Sequence, residues 1–164
     1  MTLADWERLP QIGAGMAEVR ENQEAFFLFV VRAARELTGA AYSSVGLVEG
    51  RHIHWQSAAG KPVEEVRGVR QPLDEGMCGW VVRHGQSRRS GDVAGEADYF
   101  QQYAEMRSEL DVPVKVGERV IGVLSSESPQ PDAFSGEDEL RLEILASYVA
   151  IALSFGLPDS WIVG

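Results

Sequence analysis

Two β-rich runs around a tight turn, followed directly by a capped apolar helix, limit what this chain can fold into more than anything else in its sequence. Ser108-Glu-Leu-Asp-Val-Pro-Val-Lys-Val116 and Arg119-Val-Ile-Gly-Val-Leu-Ser-Ser-Glu127 flank Gly117-Glu118, the pattern of a hairpin. Phe134-Ser135-Gly136-Glu137-Asp138 then places a capping serine three residues before a carboxylate, and Leu140, Ile144, Leu145, Val149, Ala152 and Leu153 continue at helical spacing. Side chains alternate between faces along a strand. Leu110, Val112 and Val114 therefore share one face, which suits packed helices, and Glu109, Asp111 and Pro113 share the other. On the second strand Val123, Ser125 and Glu127 fall on the face of Glu109. The hairpin thus brings three acids to one side of a sheet.

The remainder of the chain fits around this unit. Met16, Val19, Phe26, Val30, Ala34 and Leu37 recur at helical spacings, so an amphipathic helix is expected from about Gly15 to Thr38, ended by Gly39. Tyr42–Val48 and His52–Ala58 read as a first hairpin turning at Glu49-Gly50. A short helix is expected over Met77–His84, a strand over Ser87–Ser90 and another short helix over Ala97–Met106. Leu9-Pro10 and Gly13 break periodicity near the start. The organisation read from these signals is an irregular lead over 1–14, one domain over 15–156 and a tail over 157–164.

Composition excludes several classes. A net charge of −10 leaves little basic surface for nucleic acid or anionic membrane. No apolar stretch is long enough to span a bilayer, and the N-terminus lacks the basic start and apolar run of an export signal. A single cysteine among 164 residues permits no internal disulfide and points to a reducing, cytoplasmic setting.

Taken with Glu75-Gly-Met-Cys-Gly-Trp-Val-Val82 and Gly91-Asp-Val93, the hairpin and closing helix resemble a GAF domain, the small sensory module of signalling proteins, over roughly residues 16–155. The resemblance implies an α+β, PAS-related fold. Its central antiparallel sheet would carry the N- and C-terminal helices on one face and a ligand-type pocket, under loops and short helices, on the other. Gly76-Met-Cys-Gly79 further resembles the free methionine-R-sulfoxide reductases, which are GAF-fold enzymes. On that resemblance the attacking cysteine falls at Gln102, a further cysteine at Arg88, and two acids at Ser125 and Glu127. One thiol cannot complete the attack-and-resolve cycle of such an enzyme. No catalytic residue is therefore assigned. Neither the Asn-Lys-x-Phe-Asp-Glu element of cyclic-nucleotide-binding GAF domains nor a bilin-type Cys-His is present.

Candidate pocket residues are Tyr42, Ser44, Trp55, Cys78, Trp80, Ser90, Tyr99, Tyr103, Glu109, Asp111, Ser125 and Glu127. Tyr and Trp offer an apolar body with a polar tip, and the acids favour neutral or cationic ligands with hydrogen-bond donors. Close carboxylates repel, so one of Glu109 and Asp111 should titrate high unless Arg88 or Arg107 compensates it. His52 and His54 lack a third ligand, and no metal or cofactor is expected. The expected function is that of a sensory domain binding an unidentified small molecule. The alternative is a non-binding module that dimerises or docks on a signalling protein. Apolar residues cover more than one side of both long helices: Phe26, Phe27, Phe29, Val30 and Val31 on the first, and Tyr148, Val149, Ile151, Ala152, Leu153 and Phe155 on the last. A homodimer through these helices is accordingly expected.

Overall fold

The computed structural model describes residues 1–60, 66–97 and 105–155, Phe155 by its backbone alone. The helix expected over 97–106, with Tyr99, Gln102 and Tyr103, falls mostly outside the described residues, as does the tail over 157–164. Ten principal elements follow in the order α1 (Leu3–Val19), α2 (Gln23–Thr38), β1 (Tyr42–Glu49), β2 (His52–Ala59), β3 (Arg70–Pro72), α3 (Gly76–His84), β4 (Arg88–Ser90), β5 (Ser108–Val116), β6 (Arg119–Ser128) and α4 (Gly136–Phe155). The strands form one sheet in the order β3-β2-β1-β6-β5-β4, and each neighbouring pair is antiparallel. Both expected hairpins are present, each turning on a glycine at φ +60°, Gly50 and Gly117, a backbone angle that side chains disfavour.

One face of the sheet is sealed by helices. Leu110, Val112, Val114 and Leu124 point into a core with Phe26, Phe27, Val30 and Val31 of α2 and Leu142, Leu145 and Val149 of α4, all essentially without solvent exposure. The helix boundary at Ser135 is the expected one. Its hydroxyl accepts from the Asp138 N–H at 3.2 Å and its own N–H donates to the Asp138 carboxylate at 2.8 Å.

The N-terminal lead is a correction. Residues expected to be irregular form α1, and the single helix expected from Gly15 to Thr38 is two helices broken at 20–22, where Asn22 caps α2 by accepting from the Ala25 N–H at 2.9 Å. Neither Pro10 nor Gly13 breaks α1. Pro10 lies on the exposed side of α1, so the backbone bond it removes is lost toward solvent. Gly15 is a packing residue: a Cβ there would stand 2.7 Å from the Phe29 ring of α2. Thr2 and Asp5 form a capping box, and Leu9, Ile12 and Met16 bury one stripe of α1 against the other helices. α1 runs alongside α4, fastened by Arg141, which donates to Asp5 at 2.9 and 3.0 Å.

The other face carries a smaller apolar group: Tyr42, Ile53, Trp55, Ala58, Val66, Cys78, Val81, Val82, Met106 and Val123. Gly46 makes it possible on β1. A Cβ at that position would lie 2.3 Å from Ile53 Cγ2 and 3.1 Å from the Trp55 ring. The β1–β2 register also slips between Val45 and Gly46, which keeps Trp55 and Ala58 on the same side of the sheet.

Candidate functional site

Strand register sets out the polar face as a lattice. Tyr42, Glu127, Glu109 and Ser90 lie opposite one another across β1, β6, β5 and β4, and Ser44, Ser125, Asp111 and Arg88 form the next row. Directly opposed residues project from the same side of an antiparallel sheet. Seven of the residues singled out from the sequence are therefore brought together here: Tyr42, Ser44, Ser90, Glu109, Asp111, Ser125 and Glu127. All seven are buried. Cys78, near the start of α3, packs over them, with its Sγ 3.9 Å from Glu109 Oε1.

The lattice is unusual for its unmet polar groups. Asp111 is 0% exposed, and neither of its carboxylate oxygens has a hydrogen-bond partner among the described residues; Glu109 Oε2 is in the same position. Burial drives the proton affinities. It pushes Glu109 well above the usual carboxylate range, and the neighbouring charges of Asp111 and Glu127 push it further. Burial raises Asp111 as well, while the donors of Glu109, Ser125 and Cys78, near enough to favour its charged form yet outside full hydrogen-bond geometry, draw it part of the way back. Burial works against the two acids standing as a pair of free anions, and at Glu109 the charge of Asp111 adds to it. The Cys78 thiol is raised well above its ordinary value, first by burial and then by Asp111 and Glu109, so it is held as a thiol and not as a nucleophilic thiolate.

Arg88 is one of the two arginines expected to compensate the acids, and it stands beside them. It sits opposite Asp111, with its guanidinium 5.1 Å from the centre of the Trp80 ring, and donates to Glu96 at 2.6 Å. Only the β4–β5 register reveals this placement, since position 88 carries no motif of its own. Arg107 instead pairs with Asp92 at 3.1 Å, away from the acids. Trp80 is half-buried, stacks on His84 at 4.1 Å and borders the site through Arg88. Trp55 does not join the acids: its row runs through Gly46 and Val123 to Pro113, three strand spacings, or roughly 14 Å, across the sheet. It lines a separate hollow of about 320 Å³ with His54, Gln56 and Arg67. His54 hydrogen-bonds to Glu49 at 3.1 Å. Tyr99 and Tyr103 lie outside the described residues.

The GAF domain family matches residues 21–154. The chain belongs to the GAF domain family. Its six-stranded antiparallel sheet with flanking helices is the fold of that family, as the resemblance implied. Two curated relatives align with this GAF domain over 86 residues each: protein YtsP of Bacillus subtilis (strain 168), 31% identical over 52% of this chain and 53% of that one, and the free methionine-R-sulfoxide reductase of Escherichia coli (strain K12), 33% identical over 52% of each. The chain spans about half the length of the curated relatives it matches. Among solved structures it is similar to free methionine-R-sulfoxide reductase from Neisseria meningitidis in complex with its substrate. The TM-score is 0.78 at 26% identity, covering 88% of this chain and 84% of that one. No helix among the described residues is long and apolar enough to cross a membrane.

Proposed function

We propose that this GAF domain is a regulatory module that binds a small ligand on the acidic face of β5 and β6. The observation that carries the reading is the buried carboxylate of Asp111 beside Glu109, without a hydrogen-bond partner among the described residues. A buried polar group without a partner costs about 1–3 kcal/mol, and a donor-rich ligand removes that cost on binding. The acids select neutral or cationic ligands with hydrogen-bond donors, and Arg88 at the end of the row is already engaged by Glu96. The test is a thermal-shift screen of polyamines, amino acids, cyclic nucleotides and simple anions. Stabilisation by donor-rich compounds that disappears in Asp111→Asn is expected. Tight nucleotide or anion binding that survives Arg88→Ala would place the recognition elsewhere.

A second reading, reductase activity on free methionine-R-sulfoxide, draws support from the two reductase comparisons. It is disfavoured because the chain has one cysteine and that thiol is held protonated. No turnover is expected in a coupled assay with thioredoxin or dithiothreitol. Turnover that vanishes in Cys78→Ser would establish an enzyme instead.

Assembly is a separate matter, and its expected basis needs correction: Phe26, Phe27, Val30 and Val31 of α2 are buried inside the domain, in one core with Leu9, Ile12 and Met16 of α1, and are not available to a partner. Leu3, Trp6 and Ile151 are large apolar side chains more than half exposed on the helix layer, and a groove of about 270 Å³ runs between α1 and α4 past Met16, Tyr148 and Ile151. A homodimer is expected through this layer. Light scattering at tens of micromolar that gives the monomer mass would remove it.

A further inference from the structure

We infer that Cys78, Glu109 and Asp111 form a binding site for a divalent metal ion of the zinc class. The inference rests on the reading of this face as a ligand site and names the ligand. One potential ligand atom from each of the three residues lies within 4.8 Å of the other two, and all three residues are buried. Tetrahedral zinc, with Zn–S of about 2.3 Å and Zn–O of about 2.0 Å, needs S···O separations of roughly 3.5 Å and O···O separations of roughly 3.3 Å. The Cys78 Sγ to Glu109 Oε1 separation is 3.9 Å. A contraction of a few tenths of an ångström would bring that edge to ligating geometry, within reach of small side-chain rotations.

Three further features favour a metal over a chance meeting of acids. The donor set mixes a sulfur with two carboxylates, which suits zinc or cobalt and not magnesium or calcium, whose ligands are oxygens. Asp111 is fully buried with both oxygens unpartnered among the described residues, and Glu109 Oε2 is likewise unpartnered. A coordinated ion would satisfy oxygens that the protein itself leaves unmet. The donors also sit on rigid elements: Glu109 and Asp111 are alternate residues of β5, and Cys78 is in the first turn of α3. Charge closes in the same direction. Binding releases the protons that Cys78 and the acids hold in the free protein; three deprotonated ligands and one divalent cation then leave a single negative charge, with Arg88, paired to Glu96, facing the site from β4. Three protein ligands leave a fourth position for water or for an atom of an organic ligand.

The experiment uses cobalt(II) as the probe. The purified protein is treated with a chelator, desalted and titrated with cobalt(II) chloride. One equivalent should produce a thiolate-to-cobalt charge-transfer band in the near ultraviolet and tetrahedral d–d bands in the visible. Cys78→Ser should lose the charge-transfer band, and Asp111→Asn should weaken binding at least about tenfold. Circular dichroism checks that the variants fold; if Cys78→Ser does not, the wild-type spectrum and Asp111→Asn decide the matter. A titration without a sulfur charge-transfer band, or one that Cys78→Ser leaves unchanged, overturns the metal site. A parallel thermal-shift series with putrescine and spermidine separates the two proposals. Stabilisation by these amines without a cobalt band overturns the metal and keeps the ligand site, whereas silence in both overturns both.

Discussion

Strands β5 and β6 serve two faces with the same backbone, and the two faces are built to opposite rules. Toward α2 and α4 the strands offer Leu110, Val112, Val114 and Leu124 to a dry, interlocked core. Toward α3 they offer Glu109, Asp111, Ser125 and Glu127, equally buried, yet Asp111 and one oxygen of Glu109 find no hydrogen-bond partner among the described residues. The first face lowers the free energy of folding by hiding apolar area. The second raises it by hiding polar groups. Burial alone therefore says nothing about purpose here: acids concealed at a cost do not serve stability, and under the proposed function a bound ligand would recover that cost.

Neighbouring residues on β5 give the sharpest break in this comparison. Leu110→Ala should destabilise the domain by about 2–5 kcal/mol, because it opens a void among residues of α2 and α4 that cannot close over it. Denaturant unfolding measures the loss. The effect of ligands on the melting temperature should survive the substitution, since the acids on either side of Leu110 point the other way. A loss below about 1 kcal/mol would mean that the helix face is far looser than its burial indicates.

Next in size is Gly46→Ala. It tests whether the apolar half of the ligand face, around Ile53 and Trp55, is packed as tightly as the helix core. The new methyl would collide with Ile53 Cγ2 and press on the Trp55 ring, and overpacking of this kind costs about 1–3 kcal/mol. Quenching and the emission maximum of tryptophan fluorescence report whether Trp55 moves. Unchanged stability would show that this half of the face has slack, and would make it a second place to look for a ligand.

The difference between the faces also sorts what the sequence could disclose. Alternation on β5 and β6 was enough to place Leu110 with the helices and Glu109 with Asp111 opposite them, because a period of two leaves no other assignment once the hairpin is recognised. The residues of β1 and β4 that join them depend on a register that no short-range pattern encodes, so Arg88 and Arg107 were equal candidates to compensate the acids until the β4–β5 pairing set Arg88 opposite Asp111. Trp55 was a pocket candidate by its chemistry alone, and strand order, not alternation, sets its distance from the acids along the sheet. α1 was illegible for another reason. Pro10, Gly13 and Gly15 each lower intrinsic helix propensity, and what overrides them is tertiary: Leu9, Ile12 and Met16 find a core, and Gly15 fits the Phe29 ring of α2.

A smaller effect, of opposite sign, is expected at Glu109. Its proton affinity is raised in the folded protein, so its contribution favours folding below the ordinary carboxylate range and is lost as pH rises through the folded value. Glu109→Gln removes that titration. Without ligand the variant should match the wild type near pH 4 and exceed it at neutral pH, by an amount of order 1 kcal/mol. Paired denaturant melts across that interval measure the divergence. Parallel curves would mean that Glu109 is solvated well enough to ionise at no cost, which would make the two faces alike after all.

The smallest effect belongs to the outer edge of the helix face, where α1 closes over α4. Arg141 bonds to Asp5 from α1 and to Glu137 and Asp138 within its own helix, and its guanidinium holds the Asp5 carboxyl well below the usual range. A depressed pKa gives stability that is present above the ordinary carboxylate value and disappears as pH falls through the folded one. Because the contact is near the surface, screening keeps its worth small. Arg141→Ala should lower the melting temperature by roughly 2–4 °C at neutral pH, and the deficit should narrow at strongly acid pH as Asp5 takes up its proton. The apolar stripe of α1 would stay buried, so the change should be local: faster proteolysis near the 20–22 break between α1 and α2, with the unfolding of the sheet and its polar face unaffected. If Arg141→Ala instead abolished ligand binding on the far side of the sheet, the two faces would be mechanically coupled, and α1 would be the element through which a bound ligand is reported.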